Sequence, residues 1–371
     1  MPKYKIISTL NTLGQMGGPR YNMDICRFLK KRGHDVSIAR PMADKPPYWY
    51  PWISEIKPIE LSNNEQLSKE EYDVCIIQDP SMVDKRNYIK AKLYVYLFCS
   101  GFYPQVMEDQ LKFDNSIACA ETFKTAAHTE HPDKVYYIGH GVDTNIFKPF
   151  QKIDMTSLDK QIFWNGKIVS CFKNIQLYRQ DKVTIIFNGR GGCKKMDAQG
   201  CIIIEQALNY IGKEYVKKHF NMVAFENAIF EESYGYDDKY ILYLPWVENH
   251  RKMGEMVYSI ADIVLTPNTV SCFNCVAGEA MACKKSLICS NQGTEDIALN
   301  NINALVYPAN NYKILAEHLL KLEIDKVFRD KLAMNAYGTA MNNFSLDKVA
   351  ERIEFAIGEY FENRMDSKTN R

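Results

Sequence analysis

Apolar residues along this chain gather in short, nearly continuous runs set apart by polar, glycine-bearing turns and by stretches with helical spacing. In the first part the runs are Lys3–Ser8, Asp35–Ala39, Tyr72–Gln78, Leu93–Phe98, Ser116–Cys119 and Val135–Ile138. Between the first two, Ile25, Phe28 and Leu29 keep a helical period from about Tyr21 to Lys31, and Gly33 is a natural stop. A second helix is expected over Glu121–Ala127. In the later part the runs are Val183–Phe187, Asn221–Phe225, Ile241–Leu244, Ile263–Leu265, Ser286–Cys289 and Ala304–Tyr307. Helical signals fall from about Asp197, over Arg251–Ile260 and over the small-residue stretch VAGEAMA. Strands alternating with helices predict parallel, doubly wound α/β sheets. From Tyr312 the chain reads as helix, with one stripe of Leu315, Leu319 and Leu322 and part of another of Val349, Ile353 and Ile357.

Lys152 to Asp181 is polar, mixed and without a strong period, so it reads as a crossover between two α/β halves. The expected division is 1–150 and 151–346, which suits a length of 371 residues. The polar tail Met365–Arg371 is expected to fray.

Charge and cysteine content narrow the classes. Lys+Arg 46 against Asp+Glu 45 leaves +1, which disfavours nucleic acid as the main partner but permits a local basic pocket. No charged start precedes an apolar segment, and no apolar run nears the roughly 18 residues of a spanning helix. A soluble, cytoplasmic protein is expected. The eleven cysteines include one CxxC, Cys272 to Cys275, with no second CxxC or nearby His to complete a zinc set. Reduced, packed thiols are expected, and no metal.

Candidate chemistry lies in the loops after strands, where open parallel sheets bind ligands. Gly17-Gly18 before the first helix would let backbone approach an anion or sugar, or would simply be a strand-to-helix turn. The GxGxxG fingerprint is absent and no acidic residue ends the second strand, which disfavours a nicotinamide cofactor. Pro41–Trp52 reads as an ordered loop whose aromatics are either buried or available to stack on a sugar, burial being the more natural reading. Gly139 to Pro149 (GHGVDTNIFKP) marks a tight turn leaving the first half. The loop Asn188 to Met196 places Arg190, Lys194 and Lys195 among glycines ahead of a helix, an anion cradle without P-loop spacing, or else a solvated basic turn. The stretch Val264–Pro308 carries a polar loop, a small-residue helix with Glu279, and a second loop, SNQGTED. Two cations and a helix N-terminus suit a diphosphate, and a carboxylate suits vicinal hydroxyls. Glu279 could otherwise be a solvated helix carboxylate.

These motifs, in this order, resemble the family 4 glycosyltransferases of the two-domain GT-B fold, over nearly the whole chain. GGPRYNMDICRFLKKRGHDVSI resembles the family's first helix and second strand. Gly141-Val142-Asp143 with Phe147 and Pro149 resembles its GVDxxxFxP turn, Gly189-Arg190 with Lys195 its GRxxxxK loop, and Glu279-Ala280-Met281-Ala282 its EAMA helix. Asn303-Ala304-Leu305-Val306 resembles the segment after its glycine loop. The resemblance implies two Rossmann-like domains facing across a cleft, with a C-terminal helix of about 347–365 crossing back to the first. It implies a retaining, metal-independent enzyme that moves a hexose from a nucleotide-diphosphate sugar to a glycan or other hydroxyl acceptor, with no cofactor. The lean is to GDP-mannose, with UDP-sugars open. Peripheral membrane contact is compatible with this.

By the same resemblance Arg190 and Lys195 bind the donor diphosphate and steady the leaving group, and Glu279 holds the ribose hydroxyls. Backbone amides around Phe273, Asn274 and Cys275 touch sugar or phosphate. Gly17 and Gly18 face the phosphates, and Trp246 and Val247 lie near the base. The chain departs from the family at Ser271, where a Glu is usual eight residues before the EAMA Glu, and at Phe98-Cys99-Ser100-Gly101, where an acceptor-facing His is usual. His140 stands where the family often has Asn and is a secondary candidate, since a lone His in a turn is more often structural. The departures motivate an alternative: a homologue that binds nucleotide sugar or glycan without transfer.

Overall fold

The structure is a computed structural model. It describes residues 2–12, 17–40, 50, 52–60, 64–78, 80–98, 104–127, 129–155, 161–164, 167–171, 175–188, 198–225, 241–244, 253–269 and 273–369. The chain divides into two compact units, one of residues 1–143 with 343–371 and one of residues 144–342.

The first unit is built on a seven-stranded parallel sheet. Its strands are β1 Lys5–Thr9, β2 Asp35–Arg40, β3 Lys57–Glu60, β4 Glu71–Ile77, β5 Lys90–Phe98, β6 Ser116–Ala120 and β7 Val135–Tyr137. They lie in the order β3-β2-β1-β4-β5-β6-β7. The strand β3 has the sequence KPIE and sits at the sheet edge, where a proline does not interrupt the ladder. The helix Gly17–Lys31 starts earlier than the apolar period indicates, because Pro19 is tolerated in a first helical turn, where its missing N–H is not needed. Of the aromatics in the Pro41–Trp52 stretch, Tyr50 and Trp52 are buried, and Tyr48 and Trp49 lie outside the described residues.

The last helix, Leu346–Thr369, packs with the first unit. Leu346, Val349, Ile353 and Ile357 form its buried stripe. Glu354 joins it to the end of the first helix, accepting from His34 Nε2 at 2.9 Å and pairing with Arg32 at 2.7 Å. Tyr4 stacks on Phe361 with centroids 5.3 Å apart. Val142 exchanges backbone hydrogen bonds with Phe344 and Leu346, so the GVD turn is stitched to the chain entering this helix.

Asp143 of that turn is buried and pairs with Arg27, whose guanidinium also lies over the Trp52 ring at 4.4 Å. Asp24 is buried beside them and accepts from Tyr50 Oη at 2.7 Å. Burial pushes its carboxyl up from 3.8 to about 6, against the pull of Arg20 and Arg27. The folded chain therefore holds this proton more tightly than the unfolded chain. Its stabilising contribution is complete below pH ~4 and is lost as pH rises through about 6, a difference on the order of 3 kcal/mol. Asp24→Asn, which mimics the protonated form, is expected to be more stable than the parent at pH 7.5 and to lose that advantage at pH 4.5. Chemical denaturation at the two pH values checks this.

Two antiparallel strands, β8 Gln161–Trp164 and β9 Lys167–Cys171, occupy the crossover that shows no period in the sequence. The second unit holds a six-stranded parallel sheet of β10 Val183–Asn188, β11 Phe220–Phe225, β12 Ile241–Tyr243, β13 Ile263–Thr266, β14 Ser286–Ser290 and β15 Leu305–Tyr307. The order is β12-β11-β10-β13-β14-β15. One layer of core joins Ile185, Phe187, Ile204, Leu208, Leu265 and Ile288 to Leu315, Leu319 and Leu322 of the helix Tyr312–Ile324.

Candidate active site

In the second unit the chain lays β11 and β12 on one side of β10, then returns to lay β13, β14 and β15 on the other. The strand order therefore reverses between β10 and β13, and the carboxyl ends of such a pair are the position at which open parallel sheets bind ligands. The loop after β10 runs through residues 189–197 to the helix Ala198–Ile211, and the loop after β13 leads to the helix Cys275–Ala282. Two helix N-termini are thus directed to one switch point by connectivity alone.

Gly200, in the first turn of the Ala198–Ile211 helix, fixes how closely that helix approaches. A Cβ there would stand 2.6 Å from the Pro267 carbonyl oxygen. An alanine in a helix gains about 0.5–1 kcal/mol over glycine, but a clash with a backbone oxygen is not relieved by a rotamer and costs about 1–3 kcal/mol. Gly200→Ala is expected to lower the melting temperature by several degrees, which differential scanning calorimetry reads directly.

The helix Cys275–Ala282 rests on β13 and β14, and Ala277, Gly278, Ala280 and Ala282 let it come close. Its first turn is capped by Asn274, whose Oδ1 accepts from Ala277 N at 3.2 Å. Asn274 N donates to Gly293 O at 2.8 Å, tying the loop after β14 to the helix start. Glu279 is only 2% exposed, so it is not a solvated helix carboxylate. Tyr258 Oη donates to Glu279 Oε2 at 2.6 Å. Tyr258 closes a π-helical turn, Gly254–Tyr258, a geometry that recurs at functional sites. The turn is seated through Gly254, where a Cβ would stand 2.5 Å from the Ile146 carbonyl oxygen. The Tyr258 ring meets Phe147 edge-on at 5.7 Å. Phe147 of the GVDxxxFxP turn is thus a packing residue behind the residue that orients Glu279.

The structure brings Phe273, Asn274, Cys275 and Glu279 together around one helix start. Gly17 and Gly18 open the Gly17–Lys31 helix of the first unit. The chain itself leaves room at Gly18, where a Cβ would meet nothing nearer than Gln78 Nε2 at 3.9 Å. Arg190, Lys195, Trp246, Val247 and Ser271 lie outside the described residues. His140 is a packed histidine: its Nδ1 is 2.6 Å from Glu121 Oε2 and its ring stacks on Tyr21 at 3.9 Å. Tyr258 is the residue that sequence reasoning passed over.

Burial holds the thiols of Cys26, Cys75, Cys119 and Cys289 up at about 12, so they are packed neutral groups rather than nucleophiles. Among the described residues no group of three or more His, Cys, Asp or Glu could hold a metal ion, and no helix is long and apolar enough to cross a membrane.

Solved structures described as glycosyltransferases share this architecture, and the two parallel-sheet units have the GT-B fold. A glycosyltransferase from Rickettsia africae superposes with a TM-score of 0.69 at 16% identity, covering 98% of this chain and 100% of that one. HepE of Anabaena, in complex with UDP and glucose, gives 0.70 at 13% identity over 96% and 99%. Sucrose-phosphate synthase from Thermosynechococcus elongatus gives 0.67 at 14% identity over 97% and 100%. Residues 239–339, which include Tyr258, Asn274 and Glu279, match the family described as glycosyl transferases group 1. The class is accordingly that of a glycosyltransferase with a group 1 domain in its second unit. No curated protein matches the chain in sequence.

Proposed function

We propose that the protein is a retaining hexosyltransferase that takes its sugar from a nucleoside-diphosphate donor held by the second unit and passes it to a glycan or other hydroxyl acceptor on the first. The observation that carries this reading is the pairing, at one switch point, of a capped helix N-terminus with the buried Glu279 that Tyr258 orients. A helix N-terminus stabilises phosphate oxygens, and an ionised carboxylate accepts from two vicinal ribose hydroxyls. Arg190 and Lys195 would neutralise the charge that develops on the diphosphate as the anomeric C–O bond breaks. The acceptor oxygen would bond to the anomeric carbon on the same face, its proton passing to a phosphate oxygen of the leaving group. Trp246 and Val247 would lie near the base, and Gly17 and Gly18 beside the phosphates. The proposed reaction uses no metal or cofactor, and its proposed place is the cytoplasm.

Structures of HepE contain UDP and UDP-glucose, which supports including UDP-sugars in the test beside GDP-mannose. A thermal-shift panel of UDP, GDP and their sugars comes first, because a ligand at about 100 times its Kd adds about 2.7 kcal/mol to the folded state. The expected result is a raised melting temperature with one nucleotide series, then nucleotide release with acceptor and a product of unchanged anomeric configuration by NMR. No shift with any member of the panel would sink the reading. Ser271, standing where family members usually have Glu, favours the second reading of binding without transfer. A melting shift with no release across acceptors selects it.

A further inference from the structure

Asn274 has more hydrogen-bonding capacity than the chain uses. Its backbone N–H donates to Gly293 O at 2.8 Å, and its carbonyl accepts from Gly278 N at 3.3 Å. Its Oδ1 accepts from Ala277 N at 3.2 Å. The residue is only 4% exposed, and its Nδ2 is buried with no partner. Capping accounts for the oxygen and not for the nitrogen, since Asp caps equally through oxygen and carries no donor at all. A buried amide that keeps two unused N–H groups is unfavourable in the free protein unless something accepts from it.

The geometry restricts what that something is. Because Oδ1 is tied to the third N–H of the Cys275–Ala282 helix, Nδ2 lies in the same amide plane, beside the first turn. The N–H groups of a first turn point out along the axis, and the positive end of the helix dipole lies there. Every group that Asn274 has left to offer is therefore a donor in a positive field. A second polar atom of the same strand-loop-helix segment is also buried without a partner: Thr266 Oγ1, at the carboxyl end of β13, in a residue 2% exposed. An acceptor atom carrying negative charge fits the Asn274 amide, and a donor group does not.

We infer that Asn274 Nδ2 donates a hydrogen bond to an anionic oxygen of the bound nucleoside diphosphate, so that this side chain helps determine that the ligand carries phosphate. The inference rests on the donor-site reading above and adds to it a side-chain contact beyond the backbone amides.

Two substitutions separate this role from capping. Asn274→Asp keeps the cap and the shape but replaces the N–H donor with an oxygen that repels phosphate. Asn274→Ser keeps a capping oxygen and exchanges the two amide N–H groups for a single O–H on a shorter side chain. Calorimetric titration of each full-length protein with UDP, GDP, uridine and guanosine is the experiment. The expected result is a diphosphate affinity reduced about tenfold or more in Asn274→Asp and several-fold in Asn274→Ser. Binding of the matching nucleoside, which has no phosphate, and the ligand-free melting temperature stay unchanged. Diphosphate binding equal to the parent in both variants overturns the inference and leaves the donor site standing. So does an equal loss for nucleoside and diphosphate, which would mark Asn274 as structural. If the parent binds none of the four ligands, the donor-site reading fails and this inference with it. Should Asn274→Asp fold poorly, the Asn274→Ser comparison decides alone.

Discussion

Arg190→Ala is expected to lower nucleotide-sugar turnover by about 10²–10³-fold, the effect of removing one preorganised group that meets charge formed in the transition state. Arg190 follows the carboxyl end of β10, which closes at Asn188, and precedes the helix that begins at Ala198; β10 is one of the two strands between which the sheet order reverses. The guanidinium offers a planar fork of donors that suits a diphosphate, whereas lysine offers a point charge. Arg190→Lys should therefore recover part of the loss and not all of it. Donor binding should change less than turnover, because the diphosphate gains charge as the sugar departs. Steady-state kinetics with the nucleotide sugar selected by the melting panel separate the two parameters. Full turnover by Arg190→Ala would falsify the clamp assignment.

Glu354→Ala is expected to be strongly destabilising. Glu354 is buried on the last helix and receives His34 Nε2–H, while Arg32 pairs with its other oxygen. His34 Nδ1 accepts from Tyr4 N at 3.1 Å, which places the ring proton on Nε2. Removing the carboxylate leaves that buried N–H without an acceptor and Arg32 without its partner. Breaking a buried pair in this way costs about 3–5 kcal/mol, and the partial exposure of Arg32 argues for the lower end. In a unit of this size that lowers the melting temperature by about 5–10 °C. Burial acts to raise the Glu354 carboxyl, yet the hydrogen bonds from Arg32 and His34 hold it below its ordinary 4.5. The contribution is therefore present above that value and is lost as pH falls below it. Limited proteolysis should show early cleavage within the Leu346–Thr369 helix. An unchanged melting temperature and cleavage pattern would remove this anchor from the account.

Both α/β units were legible because their strands are apolar throughout and are separated by helical periods and glycine turns. The stripes Leu315, Leu319, Leu322 and Val349, Ile353, Ile357 are buried as their spacing requires. The elements that escaped reading each lack that signal. The edge strand β3 carries Lys57, Pro58 and Glu60, so only Ile59 marks it as core. The hairpin β8 and β9 is antiparallel and lies in a stretch without strong periodicity. The π-helical turn Gly254–Tyr258 has the composition of an ordinary helix and departs from one through close packing at Gly254.

The candidate site divides in the same way. The sequence by itself determined which residue types stand in the loops after β10 and β13: glycines, cations, the Asn before a helix and one carboxylate. These are local choices, readable because strand ends and helix starts have local signatures. Only the tertiary structure decided what those residues do for one another. It buries Glu279 and brings Tyr258 Oη to it across 21 positions of chain. It turns His140 into a packed partner of Glu121, and it closes Asn274 into a site where one of its polar atoms has no partner. Burial and partnership between distant residues depend on how the strands are ordered in the sheet, and no local pattern of apolar and polar positions encodes that order.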